Sequence, residues 1–271
     1  MGKYIYCVIE KPHQSLNFGE ILGIGKALVH FCAHETLAAA VSDAPFDDYP
    51  LTRENLIAHQ RVIEQIMEKQ RTVLPVSFGI VAENEGAVVG KLLDPHYTRL
   101  TEELVRIDGK VELSLKALWL DMKDVFLRIL KEDEMLKQRR DMLQGSAVFR
   151  DEAITIGKEV AEAVEARKNK LKQEILSLLG HLVHEYKETA LLGEEMIFNL
   201  SFLVQEENQE QFDKIVYNLD SIYKSENIYF KYLGPLPPFN FVDLPIVLLI
   251  KHLYTLASSQ SRQGLGSCKV A

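Results

Sequence analysis

The segment that most constrains the fold is a proline-rich stretch near the end of the chain. It reads Gly-Pro-Leu-Pro-Pro-Phe-Asn-Phe-Val over residues 234–242 and follows an alternating apolar run. Because proline fixes φ and lacks a backbone N–H, we expect strand pairing to stop here and the backbone to continue rigid and extended. The segment carries no titratable group. It therefore predicts an anchor, either for a partner or for the protein's own core.

Composition predicts a globular protein of the cytoplasm. The 271 residues are enough for two domains, and 31 basic against 39 acidic residues give a net charge of −8. This acidic balance disfavours nucleic acid and anionic membranes as partners. The three cysteines are scattered, and the longest apolar run, 246–250, is far shorter than the roughly 20 residues of a membrane span. The N-terminal residues resemble a strand rather than a signal peptide.

The first half of the chain predicts a small sheet with one long helix. An alternating strand comes first, a hairpin turns around His34-Glu35, and Thr52 is a suitable N-cap for an amphipathic helix. A buried run interrupted by Pro75 predicts an edge strand or a bulge. The strands are expected at 3–10, 26–33, 36–42 and 73–81, and two short helices at 83–93 and 96–107. Asp108-Gly109 is a strong turn signal and the expected domain boundary.

The second half predicts the order β-α(α)-β-α-β. Asp121 begins a helix, Gly145-Ser146 interrupts it, and a long helix is expected from Asp151 to Thr189. The strand that contains Phe198 alternates strictly, so we expect only one of its faces to be buried. The strands are expected at 111–119, 196–205 and 228–233.

These patterns predict an α+β protein of two modified ferredoxin-like domains. The first domain would span residues 1–108 and the second residues 109–257, the second with an added helical hairpin. Residues 258–271 are polar and rich in glycine and serine, which predicts a flexible tail.

Motifs for nucleotide or metal chemistry are weak. The stretch Gly19–Ala27 resembles a phosphate loop, but Glu20 stands where a glycine is needed and Ala27 where a hydroxyl is needed. His30 and His34 have the spacing of two zinc ligands on a helix, yet their segment is a predicted strand, where four residues span about 13 Å. A turn and an ordinary strand are the simpler interpretations.

Three further histidines carry imidazoles that could bind a metal or transfer a proton. His181 and His184 lie on a predicted helix, and His184 stands four residues before Glu188, a spacing that suits either a metal site or a plain polar face. His59 is expected to face inward as a hydrogen-bonded packing residue, because no serine or cysteine nucleophile motif accompanies it. We therefore assign no catalytic, cofactor-binding or metal-binding residue and expect no enzyme.

Three segments together resemble one family, the gas vesicle proteins GvpF and GvpL. They are the opening strand Tyr4–Val8 with 37–42, the stretch 73–81 preceded by His59, and the strand 199–204 followed by the proline-rich ending. The family's ending usually has tryptophan, tyrosine and serine where this chain has Leu236, Phe239 and Asn240. Ser77 also replaces an arginine that is often present. These replacements remove polar groups, so any hydrogen bond that the family makes at these positions is not carried over to this chain.

The resemblance implies a non-enzymatic protein of the gas vesicle, a cytoplasmic organelle, with two modified ferredoxin-like domains. It would be a minor shell component or an assembly factor that binds the major shell protein and other accessory proteins. Contacts are expected near the two proline motifs, at Pro75, Phe78, Pro235, Pro237, Pro238, Phe239 and Phe241. The alternatives are that these motifs only close their own domains, that the protein is a small-molecule-sensing regulatory module, or that it is a metal enzyme using His181 and His184.

Overall fold

A computed structural model describes residues 1–12, 17–143 and 150–244. The break expected at Gly145-Ser146 and the flexible tail expected at 258–271 lie outside these ranges. The described residues form two compact units: unit 1 comprises Met1–Lys110 together with residues 236–244, and unit 2 comprises Val111–Pro235. The division expected from the sequence, into independently folding domains at 1–108 and 109–257, stays a prediction. Among the described residues, no helix combines the length and apolarity needed to cross a membrane.

Unit 1 is built on an antiparallel sheet in which the first strand occupies the centre. Its strands are β1 (Gly2–Glu10), β2 (Val29–His34), β3 (Leu37–Ala44), β4 (Val73–Pro75) and β5 (Val81–Ala82). The order is β2-β3-β1-β4, and β5 also pairs with β1. Strands β2 and β3 form the hairpin that the sequence predicts, with His34 opposite Leu37.

Both faces of strand β1 are buried, and a bulge within the strand changes the alternation of its side chains between these faces. The register with β3 shifts between Ile5 and Cys7. Tyr4, Tyr6 and Cys7 consequently share one apolar cluster, whereas Ile5 and Val8 belong to the other. One extra residue in a strand changes which side chains face each side, so simple alternation cannot assign these faces.

The helices of unit 1 begin at side-chain caps. Helix α1 (Arg53–Met67) follows Thr52, whose Oγ1 accepts a hydrogen bond from the Asn55 N–H at 3.2 Å, as the sequence predicts. Asn84 caps the short helix α2 (Glu85–Val88) in the same way. A π-helical turn (Val89–Leu93) and helix α3 (Tyr97–Ile107) follow. α1 packs with the cluster of Tyr4 and Tyr6, and α2 and α3 pack with the cluster of Ile5 and Val8.

Unit 2 contains a four-stranded sheet with its helices and one large apolar core. The strands are β6 (Lys110–Trp119), β7 (Val183–Glu188), β8 (Met196–Gln205) and β9 (Ile228–Leu236), in the order β7-β8-β6-β9. The helices are α4 (Met122–Glu132), α5 (Glu134–Leu143), α6 (Arg150–Leu179) and α7 (Gln209–Ile222). Asp121 caps α4 as expected, and Arg139 of α5 binds the Glu159 carboxylate of α6 at 2.6 Å.

The structure corrects three expectations about unit 2. The long helix ends at Leu179 rather than near Thr189, because Gly180 opens a 3₁₀ turn that leads directly into β7. Strand β8 is buried on both faces over 196–204, not on one. Strand β9 continues through Pro235 to Leu236, because a proline is tolerated on an edge strand, where its missing N–H can face away from the ladder.

Gly23 provides a test of how closely unit 1 is packed. A Cβ at this position would overlap the Tyr6 hydroxyl, which accepts the Ile24 N–H and bonds the Ser42 Oγ. We expect Gly23→Ala to displace the buried Tyr6 ring and to lower the free energy of unfolding by about 1–3 kcal/mol. Gly90→Ala is the matched control, because a Cβ there meets no atom within 4 Å. Urea unfolding of both variants measures the difference, and equal stability would show that the Tyr6 contact is not constrained.

Candidate docking site

An aromatic cluster on unit 1 surrounds a buried histidine. Strand β1 supplies Tyr4 and Tyr6, helix α1 supplies His59, and the loop after β4 supplies Phe78. The centroid of the His59 ring lies 5.6 Å from those of both tyrosines and 5.7 Å from that of Phe78. Tyr49 adds an edge-on contact to Tyr4 at 5.1 Å. These separations are typical of favourable aromatic pairs.

Hydrogen bonds fix the ring of His59 and its tautomer. Its Nε2 lies 3.0 Å from the carbonyl oxygen of Val76, which can only accept, so Nε2 carries the hydrogen. Nδ1 lies 3.1 Å from the Tyr4 hydroxyl, which itself accepts the Gly79 N–H at 2.8 Å. The Tyr4 O–H therefore donates to Nδ1. The neutral imidazole thus has both nitrogens satisfied.

Burial keeps this cluster uncharged. His59 is 3% exposed, and desolvation lowers its pKa to about 4 although the bond to the Val76 carbonyl acts in the opposite direction. Desolvation also raises the pKa values of Tyr4 and Tyr6. Cys7, in the same apolar cluster, has its thiol pKa raised by burial alone. None of these groups is activated for chemistry near neutral pH.

The proline-rich ending packs against unit 1. Pro237 and Pro238 are buried, Phe241 is 3% exposed, and Val242 packs on the apolar cluster of Ile5 and Val8. Two arginines of α3 donate to backbone carbonyls of the segment, Arg106 to Phe241 and Arg99 to Asp243. Phe239 stays 38% exposed, with its ring centroid 6.3 Å from that of His59. Burial and hydrogen bonds therefore hold the segment at several points.

The structure brings some of the expected contact residues together and separates others. Phe78 and Phe239, which are 161 positions apart in the chain, both contact the His59 ring. Pro75 is buried and pairs with Cys7, and Pro235 is exposed on β9 in unit 2. The buried Pro237, Pro238 and Phe241 hold the segment from within. Partner binding by these residues stays a prediction.

Sequence reasoning did not select Tyr4, Arg99 or Arg106 for this site. The pair Tyr4 and Tyr6 is a usable signal, because two tyrosines with alternate spacing on a buried strand require polar partners nearby. The arginines give no such signal, since they bind backbone carbonyls that are far away in the sequence.

Comparison with known proteins identifies the family. The model of the gas vesicle synthesis proteins GvpL/GvpF matches residues 2–243. Gas vesicle protein F of Nostoc sp. (strain PCC 7120) is 30% identical over 90% of this chain and 98% of its own length. Gas vesicle protein L1 of Halobacterium salinarum is 23% identical over 89% and 90%, respectively. This chain belongs to the GvpL/GvpF family.

The solved structures agree with this assignment. The crystal structure of GvpF from Anabaena sp. PCC7120 superposes with a TM-score of 0.82, at 30% identity over 90% of this chain and 98% of that one. GvpF from Microcystis aeruginosa gives 0.76 at 28% identity, over 90% and 99%. The family resemblance stated from the sequence is confirmed, and the mixed fold with two antiparallel sheets is shared with these GvpF structures.

The weak motifs of this GvpL/GvpF chain have structural explanations. His30 bonds Lys3 and Glu85, whereas His34 pairs with Asp94 at 3.3 Å, so the two imidazoles serve different partners. His184 and Glu188 lie on strand β7, not on a helix, which corrects their expected placement. In residues 1–12, 17–143 and 150–244, no three metal-ligating side chains cluster. The stretch 24–26 forms a 3₁₀ turn that buries Ile24.

A cavity of about 550 Å³ lies in unit 2, between α4, α6 and the turn at Glu226. Arg167 is one of its lining residues, binds the Glu132 carboxylate at 2.9 Å and lies 3.5 Å from that of Glu226. The arginine is thus already engaged by carboxylates within the protein. This arrangement does not favour a small anionic ligand here.

The pKa of His59 predicts a pH dependence of stability. The folded state holds this pKa near 4, below the ordinary 6.5, so the unfolded chain binds more protons between these values. The contribution of neutral His59 to stability is therefore fully present above pH 6.5 and is lost as the pH falls from 6.5 towards 4. Between pH 7.5 and 4.5 we expect His59 to contribute a loss of about 2–3 kcal/mol.

Urea unfolding of wild type and His59→Gln at these two pH values measures this contribution. The variant removes the titrating group, so its loss of stability on acidification is expected to be smaller than that of wild type by this amount. His181→Gln, at an exposed histidine, is the control and is expected to behave like wild type. An identical pH dependence in all three proteins would contradict a neutral buried His59.

Proposed function

We propose that this protein is a non-catalytic gas vesicle protein, either a minor shell component or an assembly factor, that binds the major shell protein during vesicle formation. The observation that carries the proposal is the family match over residues 2–243, which includes nearly all of the described chain. Relatives from Nostoc and Halobacterium are named gas vesicle proteins F and L. Action at the gas vesicle, with other gas vesicle proteins as further partners, belongs to the same proposal.

The modified ferredoxin-like description is part of this proposal and is supported by the strand orders. Each unit places its first strand between its third and fourth, giving β2-β3-β1-β4 in unit 1 and β7-β8-β6-β9 in unit 2. Unit 1 has a 3₁₀ turn at Ile24–Lys26 between its first two strands, where unit 2 has α4, α5 and α6. Two stiff sheets of this kind supply a scaffold rather than a reaction centre.

We place the docking site at the ring pair Phe78 and Phe239. Both rings contact His59, whose own ring is held by two hydrogen bonds. Each ring follows buried residues that hold its segment in place: Pro75 and Val76 precede Phe78, and Pro238 precedes Phe239. Aromatic rings whose conformation is already fixed lose little entropy on binding. They suit an apolar protein partner, and the acidic net charge keeps the scaffold itself soluble.

Phe239→Asp tests this site. An added carboxylate would have to be desolvated in an apolar interface, so we expect affinity for the purified major shell protein to fall at least about tenfold. Phe126→Asp on α4 is the matched control, because Phe126 is 36% exposed against 38% for Phe239 and lies in unit 2. Binding can be followed by pull-down and by titration of the labelled shell protein. Equal affinity of the two variants would exclude Phe239 from the interface.

Deletion of the gene tests the function itself. Cells that lack the protein are expected to form few vesicles or none, as seen by electron microscopy. Expression of the wild-type chain in the deletion strain is expected to restore them. Normal vesicle number and shape in the deletion strain would contradict a required role in formation.

A further inference from the structure

Strand β7 leaves backbone hydrogen-bonding groups at the edge of the unit 2 sheet. It pairs with β8 and has no second neighbour strand in the part of the chain that the structure describes. The ladder is regular from Glu185 to Glu188, after a bulge at His184. The Thr189 N–H donates to the Asn199 carbonyl, so by the two-residue repeat Lys187 and Glu185 also direct their backbone groups to β8. Those of Tyr186 and Glu188 point outward.

The surroundings of this edge are open. Tyr186 is 47% exposed, and Glu188 keeps an exposed carboxylate although Lys172 binds it at 2.9 Å. A cavity of about 350 Å³ lies between β7 and the end of α6, with Leu176 and Phe202 among its lining residues. An exposed strand edge beside a partly apolar cavity is a surface on which another strand can pair.

We propose that β7 pairs with β7 of a second copy about a two-fold axis at Tyr186. The pairing is antiparallel, as a two-fold axis perpendicular to the sheet requires, and it joins two four-stranded sheets into one. Tyr186 then faces its own symmetry mate, and the outward N–H and C=O groups of the two residues bond each other. Tyr186 provides the central contact of the interface.

Charge complementarity identifies the second copy as the occupant. With the axis at Tyr186, Glu185 of one copy faces Lys187 of the other, twice by symmetry. Opposite charges directly across an antiparallel pair are favourable, and like charges are unfavourable. The short sequence Glu-Tyr-Lys over 185–187 is therefore complementary to itself in this register.

Neighbouring registers do not have this property. An axis at Glu185 would place this residue opposite its own copy, and an axis at Lys187 would place two lysines opposite each other. A register whose axis lies between two consecutive residues would place a residue with outward backbone groups opposite one whose groups point to β8. Such a register would break the hydrogen-bond pattern. The charges thus select the register at Tyr186.

The helix layer adds contact area to this pairing. The Tyr186 ring is tilted against that of Phe202, with centroids 6.5 Å apart. Phe202 belongs to the core that includes α6, so Tyr186 lies on the helix face of the sheet. A two-fold axis perpendicular to the sheet keeps both helix layers on the same side. The two cavities beside the edges, with Gln173 and Leu176 of α6, then border the axis and receive groups of the other copy.

The wild-type chain provides the first test. Sedimentation from about 5 µM to about 500 µM is expected to show a monomer that becomes a dimer. Such weak association is typical of a protein–protein interface with a small buried area. Hydrogen exchange at the Tyr186 and Glu188 amides is expected to slow with concentration, whereas exchange on β9 stays constant. A monomer at all concentrations, with unchanged exchange, would overturn the proposal.

Charge reversal tests the register. Lys187→Glu makes the facing groups all acidic and Glu185→Lys makes them all basic, so each single variant is expected to raise the dimer dissociation constant at least about tenfold. A one-to-one mixture of the two variants, and the double variant, are expected to recover dimerisation because opposite charges face each other again. Lys214→Glu, at an exposed lysine on α7, is the control for net charge.

The mixture separates the interface from folding. Glu185 and Lys187 also have contacts within their own chain, so the melting temperature of each variant is measured alongside. A loss of dimer that neither the mixture nor the double variant recovers would show that the charges act within one chain, and would overturn the register. Unchanged dimerisation in both single variants would overturn it equally.

Discussion

The hydrogen-bond chain from Gly79 through Tyr4 and His59 to Val76 is the interaction on which unit 1 depends. It joins the central strand, helix α1 and both ends of the loop after β4 inside an apolar cluster. Removal of one member would leave its buried neighbours without a partner, which costs about 1–3 kcal/mol for each unsatisfied group. A network of this kind is stable only when complete, so it fixes the positions of Phe78 and Phe239, which contact its central ring.

Much of the fold follows from local patterns that the sequence displays. The caps at Thr52 and Asp121, the hairpin at 29–44 and the strands β6 and β8 come from residues within a few positions of one another. Strand β7 was missed because His181–Glu188 follows a long helical pattern and continues its spacing. Only Gly180 signals the change, and a single glycine does not say whether a helix bends or a strand begins.

The site shows the same division between local and distant information. The rigidity of the proline-rich ending could be predicted, because proline restricts the backbone wherever it stands. Its place could not, since the segment follows β9 of unit 2 but buries Phe241 in unit 1 and binds Arg106 there. The bulge in β1, which turns Tyr4, Tyr6 and Cys7 to one side, depends on the register with β3 and has no mark in the sequence.

The two edge strands of the unit 2 sheet differ in the residues that limit pairing with a further strand. Strand β9 carries Pro235, which lacks an N–H, and the exposed Lys231, both of which oppose the addition of another strand. Strand β7 has charged residues of both signs without a proline. Charges of both signs disfavour pairing with a strand that places like charges opposite them. They favour antiparallel pairing with a strand of the same sequence, because opposite charges then face each other. An edge protected in this way excludes general aggregation and still admits one specific partner, its own copy.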